Sequence, residues 1–187
     1  MVHGGKTGAP LSFPYGRLPR MDIVIRPATP GEHAELGEIT AQAYLGDGLL
    51  DFGESDTYLG ELRDVGKRAA AAEVLAAVAD GTLLGGVTFV PGPGPMADIA
   101  EPGEAEMRML AVSPAHRGRG AGEALVRACA DRARALGRTR MVLSTQRTMH
   151  SAHRVYERLG FTRAPGRDWN PLPELDDIML LVYELTL

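Results

Sequence analysis

Apolar side chains recur along the chain in two rhythms, one of period two and one near 3.6, and the exchange between them lays out the elements. Asp22 to Arg26 is a short β-branched run that predicts a strand. Pro30 to Tyr44 predicts a helix, with Pro30 near its first turn and Ala34, Leu36, Ile39 and Ala43 at roughly helical spacing; Gly46 and Gly48 break it. Asp56 to Ala71 predicts a second helical stretch, with Tyr58, Leu59, Leu62 and Val65 on one face. Glu73 to Val78 and Thr82 to Val90 predict two strands joined by the turn Ala79-Asp80-Gly81, a hairpin signal. The Pro/Gly-rich loop Pro91 to Gly103 leads to a strand from Glu104 to Val112, which Ser113-Pro114 ends. Gly120 to Leu136 is an amphipathic helix with Leu125, Val126, Cys129, Ala130, Ala133 and Leu136 along its apolar stripe. A strand at Arg140 to Thr145, a short helix at Ser151 to Leu159, and strands at Phe161-Thr162 and Ile178 to Leu185 complete the chain.

Strands and helices mix, with both hairpin and crossover connections. The pattern predicts an α/β (α+β three-layer) domain around a mixed sheet, over residues 21–187. Residues 1–20 are rich in Gly and Pro, carry little periodicity and read as a flexible tail. The 187 residues are 44% hydrophobic and 24% charged, enough to bury a core without staples. A net charge of -4 argues against nucleic acid as the main partner. The charge-free stretch Thr82 to Ala97 is cut by glycines and prolines and is too broken to span a bilayer. Residues 1–20 hold no apolar h-region, so the expected location is cytoplasmic, with no membrane partner. A single cysteine, Cys129, excludes an internal disulfide framework and a cysteine-based zinc cage, and the five histidines show no metal-ligand spacing. No metal is expected.

The most informative segment runs from Leu110 to Glu123. A strand breaks at proline, and Arg117, Gly118, Arg119, Gly120, Ala121 and Gly122 then lead into a helix. Three alternating glycines remove side chains where the backbone turns, so amides at a helix N-terminus face outward toward an anion. Arg117 and Arg119 add charge suited to phosphate oxygens, and a pyrophosphate is the natural occupant. The dinucleotide fingerprint fails, because Glu123 stands at its third glycine position, and no Gly-Lys-Ser/Thr follows to make a Walker turn. A plain strand–helix turn with a basic rim is the other reading.

Two motifs go further. Leu110-Ala111-Val112 followed by Arg117-x-x-Gly120-x-Gly122, and then Tyr156-Glu-Arg-Leu-Gly160-Phe161, together resemble the GNAT superfamily of acetyl-CoA-dependent N-acetyltransferases. The resemblance covers roughly Asp22 to Leu187 and is strongest from Glu104 to Phe161. It implies a mostly antiparallel central sheet with a splayed strand pair near a bulge, and acetyl-CoA as cosubstrate. Leu110, Ala111 and Val112 would pair with pantetheine, and Arg117 to Gly122 would hold the pyrophosphate. The acceptor would be a primary amine of a small molecule or peptide. Homodimers are common in the family.

Acetyl transfer to an amine needs a base for the amine and a proton for the leaving thiolate. The resemblance puts Tyr156 in the acid role; its place on an apolar helical stripe offers a core tyrosine as the other reading. Glu106 is the first candidate base, with Glu104 on the same face of the strand or a water chain as alternatives. Asp98, Glu101, Glu104 and Glu106 form an acidic cluster suited to a cationic amine, or else a solvated acidic loop. Asp168 and Trp169 are candidates to line the acceptor pocket. Cys129 lies on a buried stripe, where a thiol is usually inert. The rival to an enzyme is a catalytically silent acyl-CoA-binding sensor of the same fold.

Overall fold

The computed structural model describes residues 22–175 and 178–187. The expected tail and the end of the loop at Asp177 lie outside these residues. Seven strands, β1 (Val24–Pro27), β2 (Glu73–Ala79), β3 (Thr82–Val90), β4 (Glu104–Val112), β5 (Arg140–Gln146), β6 (Thr162–Arg163) and β7 (Leu180–Thr186), form one sheet in the order β1-β2-β3-β4-β5-β7-β6. Every neighbouring pair is antiparallel except β4 and β5. The β2–β3 turn has positive φ at both central residues, 50° at Asp80 and 74° at Gly81, which matches the twist of the two strands.

The helices are α1 (His33–Gly46), α2 (Tyr58–Arg63), α3 (Val65–Ala71), α4 (Ala121–Ala135) and α5 (His150–Arg158). The stretch expected as one helix over Asp56 to Ala71 is two, divided at Asp64. The Asp64 carboxylate accepts the Lys67 amide at 2.8 Å and starts α3. The buried Arg68 guanidinium donates to the carbonyls of Glu61 and Leu62 at 2.6 and 2.8 Å and closes α2. Both helices keep their apolar residues in step, so periodicity alone passes over the break.

Both faces of the sheet are covered. Leu125, Val126, Cys129, Ala130 and Ala133 of α4 pack on one face with Leu75, Ala77, Met107, Met141 and Leu143. Leu36 of α1 and Val65 of α3 pack on the other, against Val74, Ala76 and Leu83. Hence β2 reads as an almost unbroken apolar run. A fully buried leucine such as Leu125 contributes about 1.5–3 kcal/mol over its exposed state.

One irregularity organises the middle of the sheet. β4 and β5 pair in parallel from Glu104↔Arg140 to Met107↔Leu143, and there the ladder ends. Opposite, the β3–β4 register shifts between Gly86 and Thr88, so that Met109 and Leu110 face Val87. Met109 takes φ of 52°, a left-handed conformation that costs a non-glycine residue about 1–3 kcal/mol. The bulge turns β4 away from β5, and the two strands splay. On its other edge the turned strand comes so close to β3 that a Cβ at Gly85 would run into the Ala111 carbonyl oxygen and lie 2.8 Å from Val112 Cα.

Gly85→Ala is therefore expected to lower stability by about 1–3 kcal/mol in denaturant titrations, through overpacking. Gly60→Ala, in α2 with open space around the new methyl group, should instead raise it by up to about 1 kcal/mol. Equal effects of the two substitutions would refute the close contact.

Candidate active site

Along the freed part of β4 runs a cleft of about 800 Å³. Leu110, Ala111 and Val112 form one wall, and His116, Arg117, Gly118, Gly120, Ala121 and Gly122 form its end. Met149, His150, Ala152 and Val155 supply the α5 side, and Tyr44, Asp47 and Leu49 the α1 side. The structure thus brings together the expected cofactor-binding residues Leu110, Ala111, Val112, Arg117, Gly118, Gly120, Ala121 and Gly122; Arg119 is not among the lining residues.

The glycine turn is built as its sequence requires. Gly118 and Gly120 have φ of 74° and 94°, values that side chains disfavour. Gly120 is the N-cap of α4, so the amides of Ala121, Gly122 and Glu123 have no partners within the helix and sit at its positive end. At Gly122 a Cβ would touch Val112 Cγ2 at 3.7 Å, so helix and strand meet closely. The side chains around the turn are engaged with one another. Arg117 holds Asp47 with both ends of its fork, at 2.7 and 2.9 Å, and donates from Nε to the Val112 carbonyl at 3.2 Å. Glu123 accepts from Arg127 and Arg158, each at 2.9 Å. His116 keeps a buried Nδ1 with no hydrogen-bond partner among the described residues.

The two expected catalytic groups sit behind the cleft surface. Tyr156 is 3% exposed, with its ring 5.8 Å from Phe161 and 6.0 Å from Tyr183. Burial pushes its hydroxyl well above the usual phenol range. Its neighbours Ala152 and Val155 reach the cleft lining and Tyr156 does not. Glu106 is completely buried. Its Oε2 accepts the amides of Asp98, Ile99 and Ala100 at 3.0, 2.9 and 3.0 Å, which pins the Pro91–Gly103 loop. Its Oε1 has no hydrogen-bond partner and lies 3.9 Å from Arg108 Nε. Burial raises the Glu106 carboxyl, and hydrogen bonds from the loop only partly offset it.

The acidic cluster is not an open negative field. Asp98 pairs with Arg108 at 2.7 Å, and Glu104 pairs with Arg167 at 2.8 Å and Arg140 at 3.2 Å. Arg108 stands on β4 two residues past Glu106, just outside the cluster, while Arg140 lies on β5 and Arg167 is distant in sequence, so a count of charges from Asp98 to Glu106 misses all three. Asp168 is likewise occupied, by Arg163 at 2.7 Å and the Val182 amide at 2.8 Å. Trp169 donates to Ser144 Oγ at 2.9 Å, on the first β5 residue beyond the splay. Cys129 is fully buried, and burial drives its thiol far above the reactive range.

Sequence reasoning expects pocket residues in the region Ala43 to Arg68 but singles out no residue on the α1 side of the cleft. Tyr44 stands on its lining, its hydroxyl raised by burial and by the nearby phenols of Tyr58 and Tyr156. Leu49 gives its carbonyl to Gln146 Nε2 at 2.7 Å, which ties the segment after α1 to the splayed end of β5. His153 fixes α5 to the same end, with Nε2 at 3.2 Å from Thr145 Oγ1 and 3.1 Å from the Gln146 carbonyl. A local mark of this wall is the glycine pair flanking Asp47. Among the described residues, no group of His, Cys, Asp and Glu could hold a metal ion, and no helix is long and apolar enough to cross a membrane.

Glu104 yields a pH prediction. Burial works to raise its carboxyl, but Arg167, the Glu101 amide and Arg140 outweigh that and leave it below the ordinary carboxylate range. A depressed folded-state value stabilises the fold above the ordinary value near 4.5 and loses that contribution as pH falls through the lower one. Glu104→Gln should destabilise the protein at pH 7, with the difference from wild type shrinking below pH of about 4 in thermal melts. A difference that stays constant with pH would exclude the ionic role.

The Acetyltransferase (GNAT) family model matches residues 38–161. No curated protein matches the chain by sequence. Among solved structures, the PaiA N-acetyltransferase of Thermoplasma acidophilum, in complex with coenzyme A, superposes with a TM-score of 0.68 at 18% identity, over 89% of this chain and 100% of that one. The Salmonella typhimurium protein yncA, with its cofactor acetyl-CoA, gives 0.64 at 22%, over 88% and 93%. A GNAT family acetyltransferase from Brucella melitensis, in complex with acetyl-CoA, gives 0.55 at 28%, over 76% and 84%. The seven-stranded splayed sheet, the glycine turn at its opening and the family match over most of the domain agree: this chain belongs to the GNAT acetyltransferase family.

Proposed function

We propose that the protein is an N-acetyltransferase that moves the acetyl group of acetyl-CoA to a primary amine of a small molecule or peptide, by direct attack in a ternary complex. One observation carries the reading: the freed β4 edge and the unpaired amides at the α4 N-terminus open into the same cleft. An extended pantetheine arm can add to the edge at Leu110, Ala111 and Val112, as a strand would. The pyrophosphate then meets the amides around Gly118, Gly120, Ala121 and Gly122, with Arg117 and Arg119 supplying charge.

In the reaction, the amine nitrogen forms a bond to the acetyl carbonyl carbon and the C–S bond breaks. A lysine-like amine with pKa near 10.4 needs about 4.6 kcal/mol to be neutral at pH 7, and an α-amine near 8 about 1.4 kcal/mol. Glu106 is the group assigned to take that proton, at the unpartnered Oε1 and by way of water, since the carboxylate itself is buried. Its raised value makes it a better proton acceptor once ionised. Tyr156, held protonated by burial, is the group assigned to return a proton to the thiolate. The recessed position of both groups favours a second reading, a silent acyl-CoA-binding sensor of the same fold.

Thiol release from acetyl-CoA, measured across amines, amino acids, aminoglycosides and peptides, separates the two. The enzyme reading expects release with one chemical class of acceptor; the sensor expects acetyl-CoA binding without it. Once an acceptor is in hand, Tyr156→Phe should lower kcat by about 10²-fold or more. Glu106→Gln should remove the acidic limb of the pH–rate profile. An unchanged kcat or an unshifted profile would move the corresponding role elsewhere. Gly120→Asp, which puts a side chain and a negative charge at φ of 94°, should abolish measurable acetyl-CoA binding.

A further inference from the structure

The arginine fork at the glycine turn is closed on a carboxylate of the chain itself. Asp47 caps the C-terminal end of α1, between Gly46 and Gly48, and both Asp47 and Arg117 line the cleft. Their two hydrogen bonds of 2.7 and 2.9 Å have the paired geometry that a guanidinium also makes with phosphate oxygens. A carboxylate at this place repels a pyrophosphate as long as it stays, so the same donors cannot serve both anions at full strength.

We propose that Asp47 is a built-in competitor for the cofactor: it holds Arg117 until the pyrophosphate of acetyl-CoA takes its place. The inference rests on the acetyl-CoA reading above and adds a determinant of affinity to it. The exchange is open because the Arg117 and Asp47 side chains are 42% and 40% exposed, so water and salt screen the pair. Pyrophosphate carries more charge than a carboxylate and gains the amides of the turn as well. The exchange also reaches the far wall. Asp47 leads directly into Leu49, whose carbonyl Gln146 holds at 2.7 Å, so the segment is tied at one end by Arg117 and at the other by β5. Filling the phosphate site releases the first tie and leaves the second. Cofactor binding thereby acts on the wall formed by Tyr44 and Leu49.

Titration calorimetry of coenzyme A into the full chain at low salt tests this. Asp47→Asn, and Asp47→Ser as a second variant, should tighten coenzyme A by about two- to fivefold, the span expected for releasing an exposed ion pair. In the Arg117→Gln background the same substitution should have no effect, and Asp51→Asn, an exposed acid of the same segment, should leave affinity unchanged. Unchanged or weaker binding by both Asp47 variants overturns the proposal. So does a gain that persists without Arg117, because the charge would then act only through its general field. Absence of coenzyme A binding by the wild type would overturn the acetyl-CoA reading itself and this inference with it.

Discussion

A parallel pair of strands normally continues its ladder to the end of the shorter strand, because an unpaired amide or carbonyl is costly away from water. Here β4 and β5 stop pairing after Met107↔Leu143, while both strands run on. The bulge that holds Met109 at a positive φ bends β4 away, and the tight passage at Gly85 secures the bend from the other side. The strain at one residue is set against a whole strand edge made available inside the fold. Everything at the cleft follows from that edge. The turn that starts α4, the first turn of α5 and the end of α1 all gather around it.

The charged groups near the splay divide into two kinds of work. Glu104 with Arg167 and Arg140, Asp168 with Arg163, and Glu106 with the loop amides hold backbone segments in place. Glu104 and Asp168 are satisfied by their partners and Glu106 through Oε2 alone, and they frame the region rather than face it. The α4 N-terminus differs. Its amides have no partners within the helix, and the nearest acid on the α1 side, Asp47, is attached by an exposed pair. A frame of well-satisfied ions beside an unsatisfied helix end is an arrangement that can accept an anion without rebuilding its surroundings.

Behind the α1 side of the cleft the chain runs in short pieces. α2 and α3 are separated by the Asp64 cap and joined again through Arg68, and the segment from Asp47 to Leu49 depends on Arg117 and Gln146 for its position. Such a wall has few hydrogen bonds of its own across the cleft.

The order of elements was legible in the sequence because each carries its own signal. The period-two run of Glu104–Val112, the apolar stripe of α4 and the hairpin turn at Asp80-Gly81 are local properties, and local chemistry decides them. The glycine turn was legible for the same reason: Gly118 and Gly120 stand where the backbone needs positive φ, and their neighbours lead into a helix start. The partners of the charges were not legible. Asp98 finds Arg108 only through the long loop, Glu104 finds Arg167 from the far side of the sheet, and Arg117 finds Asp47 across seventy residues. Nor could spacing place Tyr156 behind Ala152 and Val155 rather than on the cleft surface, since all three share one helical stripe. The sequence by itself determined most of the elements, their order and the glycine turn, which depend on backbone conformation and hydrophobic period. Only the tertiary structure decided which side chains face the cleft and which charges are already spent, because those depend on distances between segments that no local pattern encodes.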